Sequence, residues 1–462
     1  MGIIRLLIRR NQVDSSVVLK NVRVKTFTKG CMLLISLGLL NFALAENRID
    51  AQRPDAPQLA AYGEYKIGVR TLELVNPDQI NILALDPKQS KPNEMPLYDR
   101  PLTAEVWYPA QASSTATASN TIINAYIRDG KKQVELHGKA IRDAKAIASE
   151  KAFPLVIVSH GYPGNRFLLA HLAENIASKG YVVVSIDHTD STYRSKDAFA
   201  STLVNRPVDQ LFVLDHLANM AADKSSFLYE LVDANNTALI GYSMGGYGAL
   251  INAGAGITKE AVSSPLSAPF GTLKRHQSGL KPKVDERLKT IVAFAPWGMN
   301  YNMFDLNTIS IPMMLVSGSQ DDVSGYENGV RAIWQGAKNV DRSLLTYMNA
   351  NHNAGAVMPA PEESYVYNAE LGGSVSAHYS DAVWDNVRMN NIAQHFVSAW
   401  LNKYLKNDDD MKPYLDLVPN SNDGVWAKDE SGQEKDEHTY WQGFDNRTAK
   451  GLKFERLYKA QE

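Results

Sequence analysis

The 462-residue sequence contains a single cysteine, Cys31. This residue lies in a segment that we expect to be removed, so the mature chain would have no thiol. Disulfide bonds, cysteine nucleophiles and cysteine metal sites are then excluded. The histidines and acidic residues also lack the spacing that is typical of a metal site. The sequence therefore predicts neither a metal nor a cofactor.

No apolar run is long enough to span a bilayer, which needs about 20 residues. The uncharged run from Cys31 to Ala45 has only fifteen residues, and seven basic residues precede it against one acid, Asp14. It ends in Ala-Leu-Ala, a small-x-small cleavage pattern. These features predict a secretory signal peptide over residues 1–45, cleaved after Ala45, and a secreted or periplasmic protein. The alternative is an uncleaved anchor.

The sequence also has no excess of positive charge, because it contains 48 basic and 50 acidic residues. Seven of the basic residues and one acidic residue lie in 1–45, so the cleaved chain carries a formal net charge of −8. Such a chain is not expected to bind nucleic acid. We also expect no stable membrane insertion after cleavage. No sequence feature indicates an oligomeric state.

Short apolar runs alternate with helical patterns along most of the chain, which predicts an α/β fold with a mostly parallel central sheet and helices on both faces. Residues 46–61 form a polar, proline-containing lead, and 62–416 form the α/β domain. Within this domain 112–150 is predicted to be a surface insertion. Residues 257–288 interrupt the pattern and either cover the site as a lid or lie elsewhere. The aromatic-containing tail, 417–462, is predicted to pack on the domain.

A Gly-x-Ser-x-Gly pattern centred on Ser243 is the strongest functional signal. It follows a predicted buried strand and opens a helix rich in small residues, the context in which a serine nucleophile is lifted clear of a sheet. Gly241 and Gly245 leave room where the strand and helix backbones meet. We therefore expect Ser243 to be the nucleophile of a hydrolase.

A serine nucleophile needs a histidine base and an acid that orients it, and in this fold they follow in the order Ser, acid, His. Asp321 and Asp322 follow one late apolar run, and His352 follows the next. Asp321 is favoured because it lies closer to the strand end, with Asp322 as the alternative. His378 is a candidate base only if His352 does not act. The remaining candidate histidines precede Ser243 or lie in helical patterns: His160, His171, His188, His216 and His395.

Two backbone N–H groups are expected to bind the oxyanion. Met244, directly after the nucleophile, supplies the first. The second is assigned to Tyr162 in the loop SHGYPGN, with Gly161 as the alternative. Pro163 has no N–H and is excluded.

Together the loop His160–Gly164, the GYSMGG elbow, the acid near Asp321 and His352 resemble the α/β-hydrolase superfamily. The closer likeness is to dienelactone-hydrolase-like and platelet-activating-factor-acetylhydrolase-like serine esterases. The elbow and the sequence FAPWG, with Trp297, are similar to bacterial cutinase-like polyester hydrolases.

The resemblance implies that Tyr162 and Trp297 line the acyl pocket. It also implies a cofactor-independent serine esterase that cleaves a small-molecule or polymeric ester through an acyl-enzyme. Two alternatives remain: an amidase or peptidase on the same fold, and a non-catalytic binding module.

Overall fold

The computed structural model describes residues 46–112, 121–196, 199–264 and 267–459. The predicted signal peptide, with its cleavage site and Cys31, lies outside these ranges. Within them, no helix combines the length and apolar character that a membrane span requires.

A ten-stranded sheet forms the centre of the molecule. In chain order its strands are β1 (Lys66–Ile80), β2 (Leu97–Ala110), β3 (Ile141–Arg142), β4 (Phe153–Ser159), β5 (Val182–Asp187), β6 (Val232–Tyr242), β7 (Leu288–Phe294), β8 (Met313–Gly318), β9 (Arg342–Tyr347) and β10 (Leu452–Leu457). Their spatial order is β10-β9-β8-β7-β6-β4-β5-β2-β1-β3. The six strands from β4 to β9 are mutually parallel, while β2 and β10 pair antiparallel at the two sides of this block.

Helices cover both faces of this sheet. They are α1 (Ala170–Ala177), α2 (Phe199–Ala222), α3 (Met244–Asn252), α4 (Lys259–Val262), α5 (Ala332–Gly336) and α6 (Asn386–Leu405). Strand β4 shows why: Val156 and Val158 join the apolar cluster that contains α1 and α6, whereas Leu155 and Ile157 join the cluster that contains α2 and α3. Continuous apolar runs are expected for parallel strands buried on both faces. The predicted α/β-hydrolase fold is confirmed.

Shorter elements decorate this core. Three small sheets are formed by Asn47–Arg48 with Gln133–His137 and Ile122–Tyr126, by Gly256–Ile257 with Phe304–Asp305, and by Tyr367–Asn368 with Gly373–Ser374. A π-helical turn spans Tyr326–Arg331, and 3-10 turns span Gln58–Ala60, Ile82–Ala84, Pro269–His276, Met299–Tyr301, Glu362–Ser364, Val375–His378, Asp409–Tyr414 and Ser421–Asp423.

Helix α2 begins earlier than its sequence pattern indicates, so Pro207 lies inside it rather than near its start. A proline inside a helix cannot donate to the carbonyl four residues earlier, here that of Leu203. The hydroxyl of Tyr247 donates to this carbonyl instead, at 2.9 Å. This hydrogen bond satisfies the Leu203 carbonyl that Pro207 leaves without a donor. It also links α2 to α3, the helix that follows Ser243.

The chain returns to the sheet after α6 and adds β10 beside β9. Phe454 of this strand stacks on Phe396 of α6, with ring centroids 4.8 Å apart. The indole N–H of Trp441 donates to the carbonyl of Val418 at 2.8 Å. Aromatic side chains thus attach the C-terminal residues to α6 and to the sheet edge.

Candidate active site

Ser243 lies at a sharp turn between β6, which ends at Tyr242, and α3, which begins at Met244. Its φ and ψ are 52° and −112°. A non-glycine residue in this region stores backbone strain and persists only where its surroundings enforce it. The serine N–H donates to the carbonyl of Phe294 at 2.8 Å, and the serine carbonyl accepts from the N–H of Trp297 at 3.2 Å. The neighbouring strand β7 and its loop therefore hold the turn.

Close backbone packing leaves no room for a side chain at Gly241 or Gly245, the glycines on either side of Ser243. A Cβ atom at Gly241 would lie 2.2 Å from the carbonyl oxygen of Gly245, and one at Gly245 would lie 1.9 Å from that of Ser159. Real Cβ atoms do not approach backbone oxygens so closely. The spacing of this motif is thus set by the close approach of β6, α3 and β4.

Asp321 and His352 follow neighbouring strands, β8 and β9, and meet at the carboxyl edge of the sheet. His352 Nδ1 lies 2.9 Å from Asp321 Oδ1. The same oxygen accepts the N–H groups of Val323 and Ser324, at 3.0 and 2.9 Å. The Asp321 side chain is fully buried, whereas that of His352 is 12% exposed. Asp322 is exposed, so the structure brings Asp321 rather than Asp322 to the histidine.

His352 also lies beside the elbow. Its ring centroid is 5.2 Å from that of Tyr242, the residue before Ser243. The Tyr242 hydroxyl donates to Asn353 Oδ1 at 3.0 Å. Tyr242 thereby connects the histidine loop to the serine turn. The sequence analysis did not assign this function to it, and its adjacency to Ser243 was the only available signal.

The loop after β4 packs against the same turn. A Cβ atom built on Gly161 would lie 3.3 Å from Ser243 Cβ, so the backbone at Gly161 passes close to the serine. The next residue, Tyr162, places its ring 5.7 Å from Phe199 and donates its hydroxyl to the carbonyl of Lys196 at 2.8 Å. On the other side Met244 starts α3, and the first N–H groups of a helix have no partner within the helix.

Trp297 is half-buried next to this turn. Its ring centroid is 5.1 Å from Phe199 and 6.4 Å from Tyr247. Tyr162, Phe199 and Trp297 therefore form an aromatic row beside Ser243. The sequence analysis named the first and third of these residues but missed Phe199, because a lone aromatic at a helix start gives no sign of what it will face.

A second group of polar side chains lies beneath the loop after β4. Ser159 Oγ is 2.8 Å from His188 Nε2, and His188 Nδ1 is 2.9 Å from Asp209 Oδ2. Asp209 also accepts two hydrogen bonds from Arg100, at 2.8 and 3.0 Å. Burial lowers the pKa of His188 well below its ordinary value, so the ring is neutral near neutral pH.

Arg206 holds the same loop from below. Its guanidinium donates to the carbonyl of His160, to that of Gly161 at 3.3 Å and to Ser191 Oγ at 2.7 Å. His160 Nδ1 lies 2.7 Å from the carbonyl of Gly161. Burial lowers the pKa of Arg206 to about 9, which still leaves it charged at neutral pH. The peptide groups before Tyr162 are therefore oriented by a buried cation.

The other histidines occupy different surroundings. His378 Nε2 lies 2.9 Å from the hydroxyl of Tyr193, and burial lowers its pKa to about 3. His171 and His395 are buried in α1 and α6, and His216 is partly buried on α2. Across the part of the chain that the structure describes, no group of three or more histidine, cysteine or acidic side chains could hold a metal ion.

Three comparisons relate the chain to known proteins. A family model described as PETase, PET hydrolase-like, matches residues 145–278. The cutinase est1 of Thermobifida alba is 26% identical over 200 residues, which cover 43% of this chain and 53% of est1. Cutinase 2 of Thermobifida cellulosilytica is 24% identical over 273 residues, or 59% of this chain and 76% of that protein.

Among solved structures, a ferulic acid esterase from Streptomyces cinnamoneus matches with a TM-score of 0.48 and 18% identity, covering 79% of this chain and 94% of the esterase. The match to est1 spans about half the length of that relative. The chain thus has the α/β-hydrolase fold and is similar in sequence to cutinases and to a PET hydrolase-like family, as the motif resemblance implies.

Proposed function

We propose that this protein is a serine carboxylic ester hydrolase in which Ser243, His352 and Asp321 form the catalytic triad. The observation that carries the proposal is the 2.9 Å contact between His352 Nδ1 and Asp321 Oδ1, next to a serine held in a strained turn. In this arrangement Asp321 accepts a hydrogen bond from the Nδ1–H of His352, which leaves Nε2 unprotonated and available as the base. That tautomer is the one a serine nucleophile requires.

In the first half-reaction Ser243 Oγ attacks the ester carbonyl while His352 Nε2 takes its proton. The resulting oxyanion binds the N–H groups of Met244 and Tyr162. Two features support this pairing: Met244 begins helix α3, whose N-terminus favours negative charge, and the Gly161 backbone passes beside Ser243. His352 then gives its proton to the leaving alcohol, and the acyl-enzyme forms.

In the second half-reaction water attacks the acyl-enzyme, with His352 again as the base. The carboxylate product leaves, and Ser243 recovers its proton. No step needs a cofactor. The row formed by Tyr162, Phe199 and Trp297 gives the substrate an apolar surface. Similarity to cutinases and to the PET hydrolase-like family supports small-molecule or polymeric esters as substrates.

The signal-like segment at residues 1–45 supports a secreted or periplasmic location. A polymeric substrate would require such a location, because polymers do not enter cells. This part of the proposal is tested by comparing the mass of the protein in the medium or periplasm with that expected for cleavage after Ala45. Retention of the full-length chain in the membrane fraction would contradict it.

The catalytic proposal is tested with p-nitrophenyl acetate and butyrate, the matching p-nitroanilides and a fluorophosphonate probe. We expect ester hydrolysis and covalent labelling of Ser243, both lost in Ser243→Ala. Ser159→Ala, which changes the other serine beside a histidine, is the matched control and should keep the labelling. Faster hydrolysis of anilides than of esters would favour the amidase alternative. The absence of both labelling and turnover would favour a non-catalytic binding module.

A further inference from the structure

A small apolar cavity lies next to the candidate site. It has a volume of about 90 Å³ and is lined by Leu203, Ala261, Ser264, Ser267, Leu273, Trp297 and Met303. Leu203, Leu273 and Met303 are at most 5% exposed. A larger cavity, about 500 Å³, lies between α2 and residues 275–285, and its lining includes none of the candidate catalytic residues. Of these two cavities only the smaller one is lined by Trp297, whose backbone N–H donates to Ser243, so the smaller cavity is the one adjacent to the elbow.

Trp297 links this cavity to the nucleophile. Its indole lines the cavity, while its backbone N–H donates to the carbonyl of Ser243 at 3.2 Å. Leu203, which also lines the cavity, accepts through its backbone carbonyl a hydrogen bond from the hydroxyl of Tyr247, one helical turn after Ser243. An acyl chain that leaves Ser243 along Trp297 thus reaches this space directly.

Residues 257–288 supply one wall, and hydrogen bonds hold that wall in place. The N–H of Thr258 donates to the carbonyl of Met303 at 2.9 Å. His276 Nε2 lies 2.7 Å from the carbonyl of Val204 on α2. Ala261 and Leu273 lie between these two attachments. Because the chain is hydrogen-bonded to the core both before Ala261 and after Leu273, these two side chains form a wall that limits the depth of the cavity.

We infer that this cavity is the acyl-binding subsite and that Leu273 and Ala261 restrict the enzyme to short acyl chains. The inference rests on the proposed esterase function. An engineered protein cavity of about 150 Å³ binds benzene, which has six non-hydrogen atoms, so by the same measure a cavity of about 90 Å³ holds about four such atoms beyond the ester carbonyl. Butyrate esters fit this size, whereas octanoate esters exceed it.

The test measures kcat/KM on p-nitrophenyl acetate, butyrate and octanoate, so that only the acyl chain varies. The wild type should prefer butyrate to octanoate by about tenfold or more. Burial of one methylene is worth about fourfold in affinity. Leu273→Ala should therefore raise the octanoate-to-acetate ratio by about tenfold, and Ala261→Leu should lower the butyrate-to-acetate ratio by a similar factor. Leu280→Ala, at an exposed position of the same segment, is the matched control and should change neither ratio.

The milder variants Leu273→Val and Ala261→Val should move the same ratios in the same directions if the larger changes prevent folding. Unaltered ratios in folded variants, with ester hydrolysis still abolished by Ser243→Ala, would overturn the subsite while leaving the esterase proposal intact. A wild type that prefers octanoate would also overturn it. If the wild type hydrolyses none of these esters, the esterase proposal itself is wrong.

Discussion

Among the residues that the structure describes, two groups each bring together one serine, one histidine and one aspartate. The elbow group consists of Ser243, His352 and Asp321. The buried group consists of Ser159, His188 and Asp209. In both groups the histidine Nδ1 lies 2.9 Å from a carboxylate oxygen. The contact between histidine and carboxylate therefore does not distinguish the two groups.

The two groups differ in access and in backbone geometry. Ser159 ends a regular strand, and the side chains of His188 and Asp209 are at most 1% exposed. Ser243 instead occupies a strained turn at a helix N-terminus, beside a cavity and a partly exposed histidine. A nucleophile needs a path for substrate and donors for the oxyanion as well as a base. The buried group has the base but no path, so we interpret it as support for the loop above it.

The largest expected effect separates the two serines. Ser243→Ala should reduce kcat roughly 10⁶-fold, because the nucleophile and its base act as a unit. Ser159→Ala should keep activity within about tenfold while lowering the free energy of unfolding by about 1–3 kcal/mol, because His188 would lose a buried partner. Esterase kinetics and urea unfolding measure both. Comparable losses of activity in the two variants would remove the distinction between the groups.

The next effect concerns the acid. Asp321→Asn should lower kcat by about 10⁴-fold, because an amide favours the wrong tautomer of His352. Asp322→Asn is the natural control, since it changes the adjacent exposed aspartate in the same way. Its kcat should stay within about twofold of the wild type. A severe defect in Asp322→Asn with near-normal Asp321→Asn would reverse the assignment.

A smaller effect is expected for Arg206, which donates to the loop after β4 that packs against the Ser243 turn. Arg206→Gln should lower kcat by about 10–100-fold with little change in KM, because a displaced oxyanion donor weakens the transition state rather than substrate binding. Arg53→Gln, which removes a surface arginine, is the control. Loss of stability with kcat unchanged in the folded fraction would show that Arg206 only supports the fold.

The smallest effect concerns acid stability. His171 shares the burial of His188, and its ring nitrogens have no partner among the described residues. Burial lowers its pKa to about 3, so below pH 6.5 the unfolded chain binds a proton that the folded chain does not, and stability falls as pH decreases toward 3. Between pH 7.5 and 5.0, His171→Phe should lose about 2 kcal/mol less free energy of unfolding than the wild type.

The opposite titration of Glu174, whose pKa burial raises to about 7, is present in both proteins of that comparison and cancels. Urea unfolding at the two pH values measures the difference. Equal pH dependence in wild type and His171→Phe would mean that the histidine takes up its proton in the folded state.

Regular, strongly apolar elements were predictable from local pattern. Strand β4 coincides with one of the short apolar runs, because a parallel strand that is buried on both faces needs nearly continuous apolar residues. Strand β10 and the first turns of α2 were not predicted. Polar residues alternate along β10, and Pro207 normally argues against a helix interior. Both depend on partners far away in sequence, namely β9 and Tyr247.

Local pattern was enough to place the elbow at Ser243, since Gly-x-Ser-x-Gly between a strand and a helix has few other uses. It also predicted the chain order in which an acid and a histidine should follow, because late parallel strands end at one edge of a sheet. Long-range contacts were needed to show that Asp321 rather than Asp322 meets His352, that Arg206 supports the loop beside Ser243, and that Ala261 and Leu273 line a cavity next to Trp297. These contacts join residues that are remote in sequence. Packing distance and access to solvent select among chemically equivalent side chains, and a local sequence pattern predicts neither of them.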